Sequence, residues 1–164
     1  DAGAPTEEEP TLEPSMPIDP GPPATTYLGT IAETEPVTFG GEPYCEYTIA
    51  LKNVRIEVTV RDDGDVIGAT VKNSVFETSV PPCPHPPMDP ADQTFALTTA
   101  TPTPSGVSLA FQGAATNQPK TALAIDLVKT EAGWEASGSW KRTDQPPPLD
   151  WEVKAKIELR ARVD

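Results

Sequence analysis

The chain has 164 residues and a formal net charge of −13 at pH 7, which allows one domain with a moderate hydrophobic core. This excess of negative charge repels phosphate backbones and anionic lipid headgroups, so we expect neither nucleic acid nor an anionic membrane as a partner. No apolar run approaches the roughly 20 residues of a membrane-spanning helix, so we expect no transmembrane segment.

Residues 1–25 have the composition of a tether. They contain six carboxylates, seven prolines and no lysine or arginine, so they have too little apolar surface to offset the entropy of ordering. Proline favours the extended polyproline II conformation. We predict a disordered acidic tether over 1–25 and a single folded domain over 26–164. A lipid anchor upstream of Asp1 would give the tether a role, and a frayed terminus without a role is the alternative.

The next signal along the chain is a long β-hairpin centred on Asp63-Gly64, a dipeptide typical of tight type I′ turns. Apolar and polar residues alternate on both sides of it, which predicts strands over about 45–61 and 65–80. The alternation slips by one residue at Lys52-Asn53, where we expect a β-bulge. A two-residue loop places three apolar residues of the return strand opposite three of the first: Ile67, Ala69 and Val71 opposite Val60, Val58 and Ile56.

The two cysteines of the chain, Cys45 and Cys83, lie near opposite positions at the open end of this hairpin. Cross-strand neighbours fall within the Cα separation of a disulfide, so we predict a Cys45–Cys83 bond. Disulfides persist in oxidising compartments, which predicts an exported protein that is periplasmic or exposed at the cell surface. The absence of an Asn-x-Ser/Thr sequon and the high Ala, Pro and Asp content favour a bacterial source.

Further alternating runs complete an all-β pattern. The clearest is at the C-terminus, where apolar and charged residues separate completely between Trp151 and Arg162. The run at 121–130 also suits a helix, because it is rich in Ala and Leu. The other runs lie near 26–34, 93–101, 105–114 and 133–142.

About eight consecutive strands joined mainly by short links predict an antiparallel up-and-down barrel, with a two-sheet β-sandwich as the alternative. Such a barrel resembles the calycin and lipocalin group in architecture. Lipocalins typically carry Gly-x-Trp on their first strand, whereas here Gly29 is followed by Thr30 and Ile31. The resemblance therefore implies a fold and not a family.

Sequence motifs for catalysis are missing, so we expect no enzyme, no metal site and no cofactor. The single histidine, His85, lies in a proline-rich loop where a convergent site is hard to form. Asp62, Asp63 and Asp65 crowd one turn, where acidic residues are ordinary turn formers, although such a cluster can also bind calcium weakly.

The most suggestive residues are Trp134, Ala136, Gly138 and Trp140, which share one face of a predicted strand. Small residues between aromatic ones either leave a pocket for a sugar or apolar ligand or make room for neighbouring core side chains. We expect a non-catalytic, exported cell-envelope domain, tethered by its N-terminal tail, that presents a binding surface to a protein partner. The alternative is a carrier that binds a small apolar ligand or sugar at these four residues, inside or on the barrel.

Overall fold

The structure is a computed structural model that describes residues 22–41, 45–79, 87, 89–113 and 120–162. Within these ranges the chain forms nine antiparallel strands and no helix. The strands are β1 (Ala24–Glu33), β2 (Val37–Gly40), β3 (Glu46–Arg61), β4 (Val66–Ser79), β5 (Ala91–Thr103), β6 (Gly106–Gly113), β7 (Thr121–Thr130), β8 (Gly133–Arg142) and β9 (Glu152–Ala161). The tether predicted over 1–25 lies almost wholly outside the described residues, and β1 begins at Ala24.

Eight of these strands close into a barrel. Each strand from β3 to β8 pairs with the next strand in sequence, β9 pairs with β1, and β1 pairs with β3. The predicted up-and-down barrel is therefore confirmed. The run at 121–130 is strand β7, so its helical alternative is wrong.

Strand β2 is an addition that the alternation pattern does not show. It lies end to end with β1 along the same side of β3, where Val37 is opposite Ile49. Between β1 and β2, Thr34 donates its backbone N–H to the Leu51 oxygen (2.8 Å) and accepts the Leu51 N–H on Oγ1 (2.9 Å). This double contact satisfies the backbone of Leu51 while Pro36, which has no N–H, interrupts the strand.

The β3–β4 turn is longer than predicted. Gly64 donates its N–H to the Arg61 oxygen at 2.8 Å and has a φ of 93°, which is the geometry of a three-residue loop ending in a left-handed glycine. The extra residue alone would shift the pairing of the whole hairpin. A bulge at Ile67 compensates for it, because Val66 takes the position opposite Val60.

The middle of the hairpin keeps the predicted register, with Ala69 opposite Val58 and Val71 opposite Ile56. The prediction that Ile67 packs opposite Val60 is wrong, since the bulge leaves Ile67 47% exposed. The bulge expected at Lys52-Asn53 is confirmed by a register shift between Lys52 and Arg55 and by a φ of 53° at Asn53.

Inward side chains from all eight barrel strands fill the interior. Branched residues of β3 and β4 meet aromatic residues of β5 and β8, and most are completely inaccessible to water. Close-packed protein interiors contain few voids larger than a water molecule. Inward residues with at most 1% exposure are Ile49, Leu51, Val54, Ile56, Val58, Val71, Val75, Phe95, Leu109, Ile125, Leu127, Ala136, Trp140, Val153 and Leu159.

Candidate functional site

The four residues singled out from the sequence share the inward face of β8. Ala136 and Trp140 are fully buried, and Trp134 is 6% exposed. A Cβ atom on Gly138 would lie 2.6 Å from Cζ3 of Trp140, so the indole of Trp140 occupies the room beside Gly138. The structure thus brings the four together, and Trp134 is more exposed than Ala136 and Trp140.

Trp140 belongs to a buried polar network. Its Nε1–H donates to Asn73 Oδ1 (3.1 Å), Asn73 Nδ2 donates to Gln93 Oε1 (3.3 Å), and Gln93 Nε2 donates to Thr121 Oγ1 (3.0 Å). Buried amides of this kind are costly without partners, and here each is satisfied within the protein. The sequence does contain a signal for this network, because Asn73 and Gln93 are polar residues at inward positions of alternating runs.

We call the end of the barrel that carries the β4–β5, β6–β7 and β8–β9 links its upper end. An ion-pair cluster lies there: Arg142 donates Nε–H to Asp144 (2.6 Å) and holds Nη1 4.0 Å from Glu77. Burial raises the pKa of Asp144, but the hydrogen bond and charge of Arg142, with backbone hydrogen bonds, outweigh it and lower the pKa below its ordinary value. Polar groups therefore occupy the upper end of the interior.

The lower half of the barrel wall contains an open seam. Strands β4 and β5 pair only from Thr70 opposite Ala96 to Val75 opposite Ala91. Below this, β4 continues in contact with β3 alone, and β5 continues in contact with β6 alone. We define the seam as the gap between residues 66–69 of β4 and residues 97–103 of β5. The backbone edges of these two segments that face each other across the gap have no partner strand in the described chain.

A bulge lies on each side of the seam. Ile67 is the extra residue in β4, and in β5 the register with β6 shifts between Leu97 and Thr99. The hydroxyl of Thr98 donates to the backbone oxygen of Ala110 at 3.0 Å. Because a bulge bends its strand and increases its twist, two bulges at the same height turn the strands apart.

A cleft of about 540 Å³ lies at the lower end of the seam. The β3–β4 turn forms one wall and the tip of the β5–β6 hairpin forms the other. Lys129 lies over the ring of Trp134, with Nζ 5.8 Å from its centroid, and both residues line the cleft. The other lining residues are Asp63, Gly64, Asp65, Val66, Ala100, Pro102, Thr103, Ser105, Gly106 and Val107.

The seam is the feature that sequence reasoning missed. Of the predicted ligand-binding residues, only Trp134 lines its cleft. Gly138 instead lines an outer cavity of about 470 Å³ on strands β7 to β9, through the side of its backbone that faces solvent. Trp140 and Ala136 line neither.

The structure bears only partly on the predictions about the disulfide, metal sites and transmembrane segments. Cys45 is not a free thiol, whereas Cys83 and His85 lie outside the described residues, so the Cys45–Cys83 bond stays a prediction. In the described ranges, no three His, Cys, Asp or Glu residues are grouped so that they could hold a metal ion, the Asp62–Asp65 turn included. The same ranges contain no helix suited to crossing a membrane.

No protein-family model, curated protein or solved structure matches this chain.

Proposed function

We propose that this protein is a non-catalytic, exported binding domain of the bacterial cell envelope, and that its seam receives an extended segment of a protein partner. The observation that carries the proposal is the pair of unpartnered strand edges that flank the seam in an otherwise closed barrel. A barrel normally removes exposed edges. Two edges left open at the same place are an acceptor for strand addition, in which backbone hydrogen bonds supply affinity.

Side chains beside the seam favour an apolar partner segment. Ile67 is 47% exposed on one edge and Leu97 is partly buried on the other. Pro102 has no N–H to offer, which leaves the lowest part of β5 a weaker acceptor. We therefore expect a short extended segment with alternating apolar residues, bound beside Val66–Ala69 and the upper part of the seam.

Selection of displayed ten-residue peptides on the full chain tests this proposal. Enriched peptides should show period-two apolar alternation, and they should slow amide exchange of residues 67–69 and 97–101. Ile67→Lys should weaken their binding about tenfold or more, since it puts a charge where the bound peptide would bury apolar surface. Ala124→Lys, on the outer face of β7, is the matched control. Failure to enrich any peptide, or protection elsewhere on the barrel, would contradict the proposal.

A second candidate function is supported by the cleft itself. Its Trp134 indole and Lys129 ammonium could take an apolar ligand or a sugar that stacks on the ring. Titration with fatty acids, sterols and simple sugars, followed by tryptophan fluorescence, tests this carrier function. Binding that Trp134→Ala abolishes would support it, and no binding below millimolar concentration would exclude it.

A further inference from the structure

The outer wall of the barrel has an uneven charge distribution. Outward side chains of β9, β1, β3 from Arg55 onward, and β4 form what we call the basic face. Seven basic and four acidic residues lie on it, a net charge of +3 (seven minus four) on a chain of net charge −13. These residues are Arg55, Arg61, Lys72, Lys154, Lys156, Arg160 and, directly after β9, Arg162, with Glu33, Glu57, Glu152 and Glu158.

Strand β1 runs through the middle of the basic face, and its only charged residue is Glu33, at its end. Its Thr30 lies opposite Arg55, and Arg55 lies opposite Lys72 on the next strand. On the other side of β1, Leu28 lies opposite Arg160 of β9. The uncharged strip from Ala24 to Ala32 is thus bordered mainly by basic side chains, with Glu57 opposite Leu28. A shallow cavity of about 450 Å³, lined by Arg55, Glu57, Thr70 and Lys72, adjoins it.

Acidic residues on the face neutralise only part of it. Glu57 lies 3.9 Å from Arg55 and 3.4 Å from Arg162, and Glu158 pairs with Arg160. Lys72, Lys154 and Lys156 have no carboxylate within ion-pair distance in the part of the chain that the structure describes. Since like charges on one face repel, these lysines favour an anionic occupant.

The sequence of this chain contains a suitable occupant. Residues 1–21 include all six carboxylates of the acidic N-terminal segment and no lysine or arginine. The described chain starts on the basic face, where the Pro22 oxygen accepts a hydrogen bond from Arg61 Nη1 at 3.1 Å. Twenty-one residues in an extended polyproline conformation span about 65 Å, roughly twice the length of a ten-residue strand.

We propose that the acidic segment 1–21 docks on the basic face of its own barrel, along the uncharged strip of β1 and between its basic borders. Covalent attachment gives the segment a millimolar-range effective concentration, so weak ion pairs suffice. Proline restricts the segment and lowers the entropy lost on docking. This inference uses the outer wall and does not depend on the seam.

A spin label tests the docking on the full chain. Thr11→Cys introduces a thiol between Glu9 and Glu13, and the label should broaden the amide signals of Thr26, Thr30 and Lys156. Signals of Ala110 and Ala124, on the opposite wall, should change little. Raising NaCl from 20 mM to 0.5 M should reduce the broadening several-fold, because the Debye length falls from about 20 Å to about 4 Å.

Two charge-matched variants separate docking from general attraction. Lys154→Gln with Lys156→Gln should reduce the broadening at Thr30 several-fold, whereas Lys120→Gln with Lys141→Gln should not. Equal broadening of both walls, or equal effects of the two variants, would overturn the proposal. Broadening that appears only between a labelled molecule and a separate isotope-enriched one would also overturn it, since the occupant would then be a second copy.

Discussion

At the scale of single residues, the Trp140 side chain has two roles, one in packing and one in hydrogen bonding. Its ring fills the room above Gly138, and its N–H satisfies Asn73. We expect Trp140→Phe to lower the free energy of unfolding by about 1–3 kcal/mol, because it leaves the buried Asn73 oxygen without that donor. Urea unfolding measures the loss. Trp134→Phe is the control, since the Trp134 N–H has no acceptor in the described part of the chain, and an equal loss there would contradict the explanation.

Gly138 is the matching position on the same strand. An added Cβ would lie within 2.8 Å of two Trp140 ring atoms, so the ring must shift. We expect Gly138→Ala to destabilise the barrel by about 1–3 kcal/mol through overpacking. Gly68→Ala meets no atom within 4 Å and should be neutral or slightly stabilising. Thermal unfolding of both variants checks the pair, and a harmless Gly138→Ala would mean that Trp140 repacks freely.

At the scale of strands and links, the sequence predicts some features of the β3–β4 hairpin and hides others. The slip at Lys52-Asn53 is visible because it changes which residues alternate. The bulge at Ile67 is invisible, since an apolar β-branched residue at an inward-phased position looks like core. The seam is hidden for the same reason: strand extents depend on where two bulges turn the backbone, and alternation reports only which face a residue occupies.

The β8–β9 link is fixed by the Arg142–Asp144 pair, and this gives the stability a pH dependence. Because the folded-state pKa of Asp144 is lowered, its contribution is present above the unfolded pKa of about 3.9 and is lost as the pH falls through the lower folded value. Asp144→Asn should cost about 1 kcal/mol at pH 7, since the pair is partly exposed, and the difference should shrink below pH 4. Asp150→Asn, on the same link, is the control in acid unfolding curves.

The hairpin also carries the predicted Cys45–Cys83 bond. Closing a loop of about 38 residues contributes on the order of 3–4 kcal/mol in the chain-entropy model, as an upper figure. Intact-mass analysis after alkylation should find no reactive thiol in the native protein and two after reduction. Two alkylated cysteines without reductant would contradict the bond, and with it the argument for an oxidising compartment.

At the scale of the whole molecule, the sequence predicts that the barrel closes, but it does not predict that charge is distributed unevenly over the outer wall. Closure follows from eight alternating runs with short links, which is a property of consecutive strands. The basic face, in contrast, combines β9 with the β3–β4 hairpin, which are distant in sequence and are joined through β1. A net charge of −13 therefore conceals a surface of the opposite sign, and an argument from total charge does not predict local partners.

Removal of residues 1–21 tests how the segment and the barrel depend on each other. We expect the barrel to close without the segment, because β1 begins at Ala24 and its pairs with β3 and β9 lie within the described chain. Docking through exposed ion pairs contributes about 1 kcal/mol or less. We therefore expect the shortened chain to fold and its thermal midpoint to fall by only a few degrees.

The same small difference in thermal midpoint should vanish in 0.5 M NaCl, where we expect the segment of the full chain to undock. A fall of more than about 10 °C would instead mean that the segment packs on the barrel and stabilises its core. A difference in thermal midpoint that persists in 0.5 M NaCl would indicate apolar rather than ionic contacts.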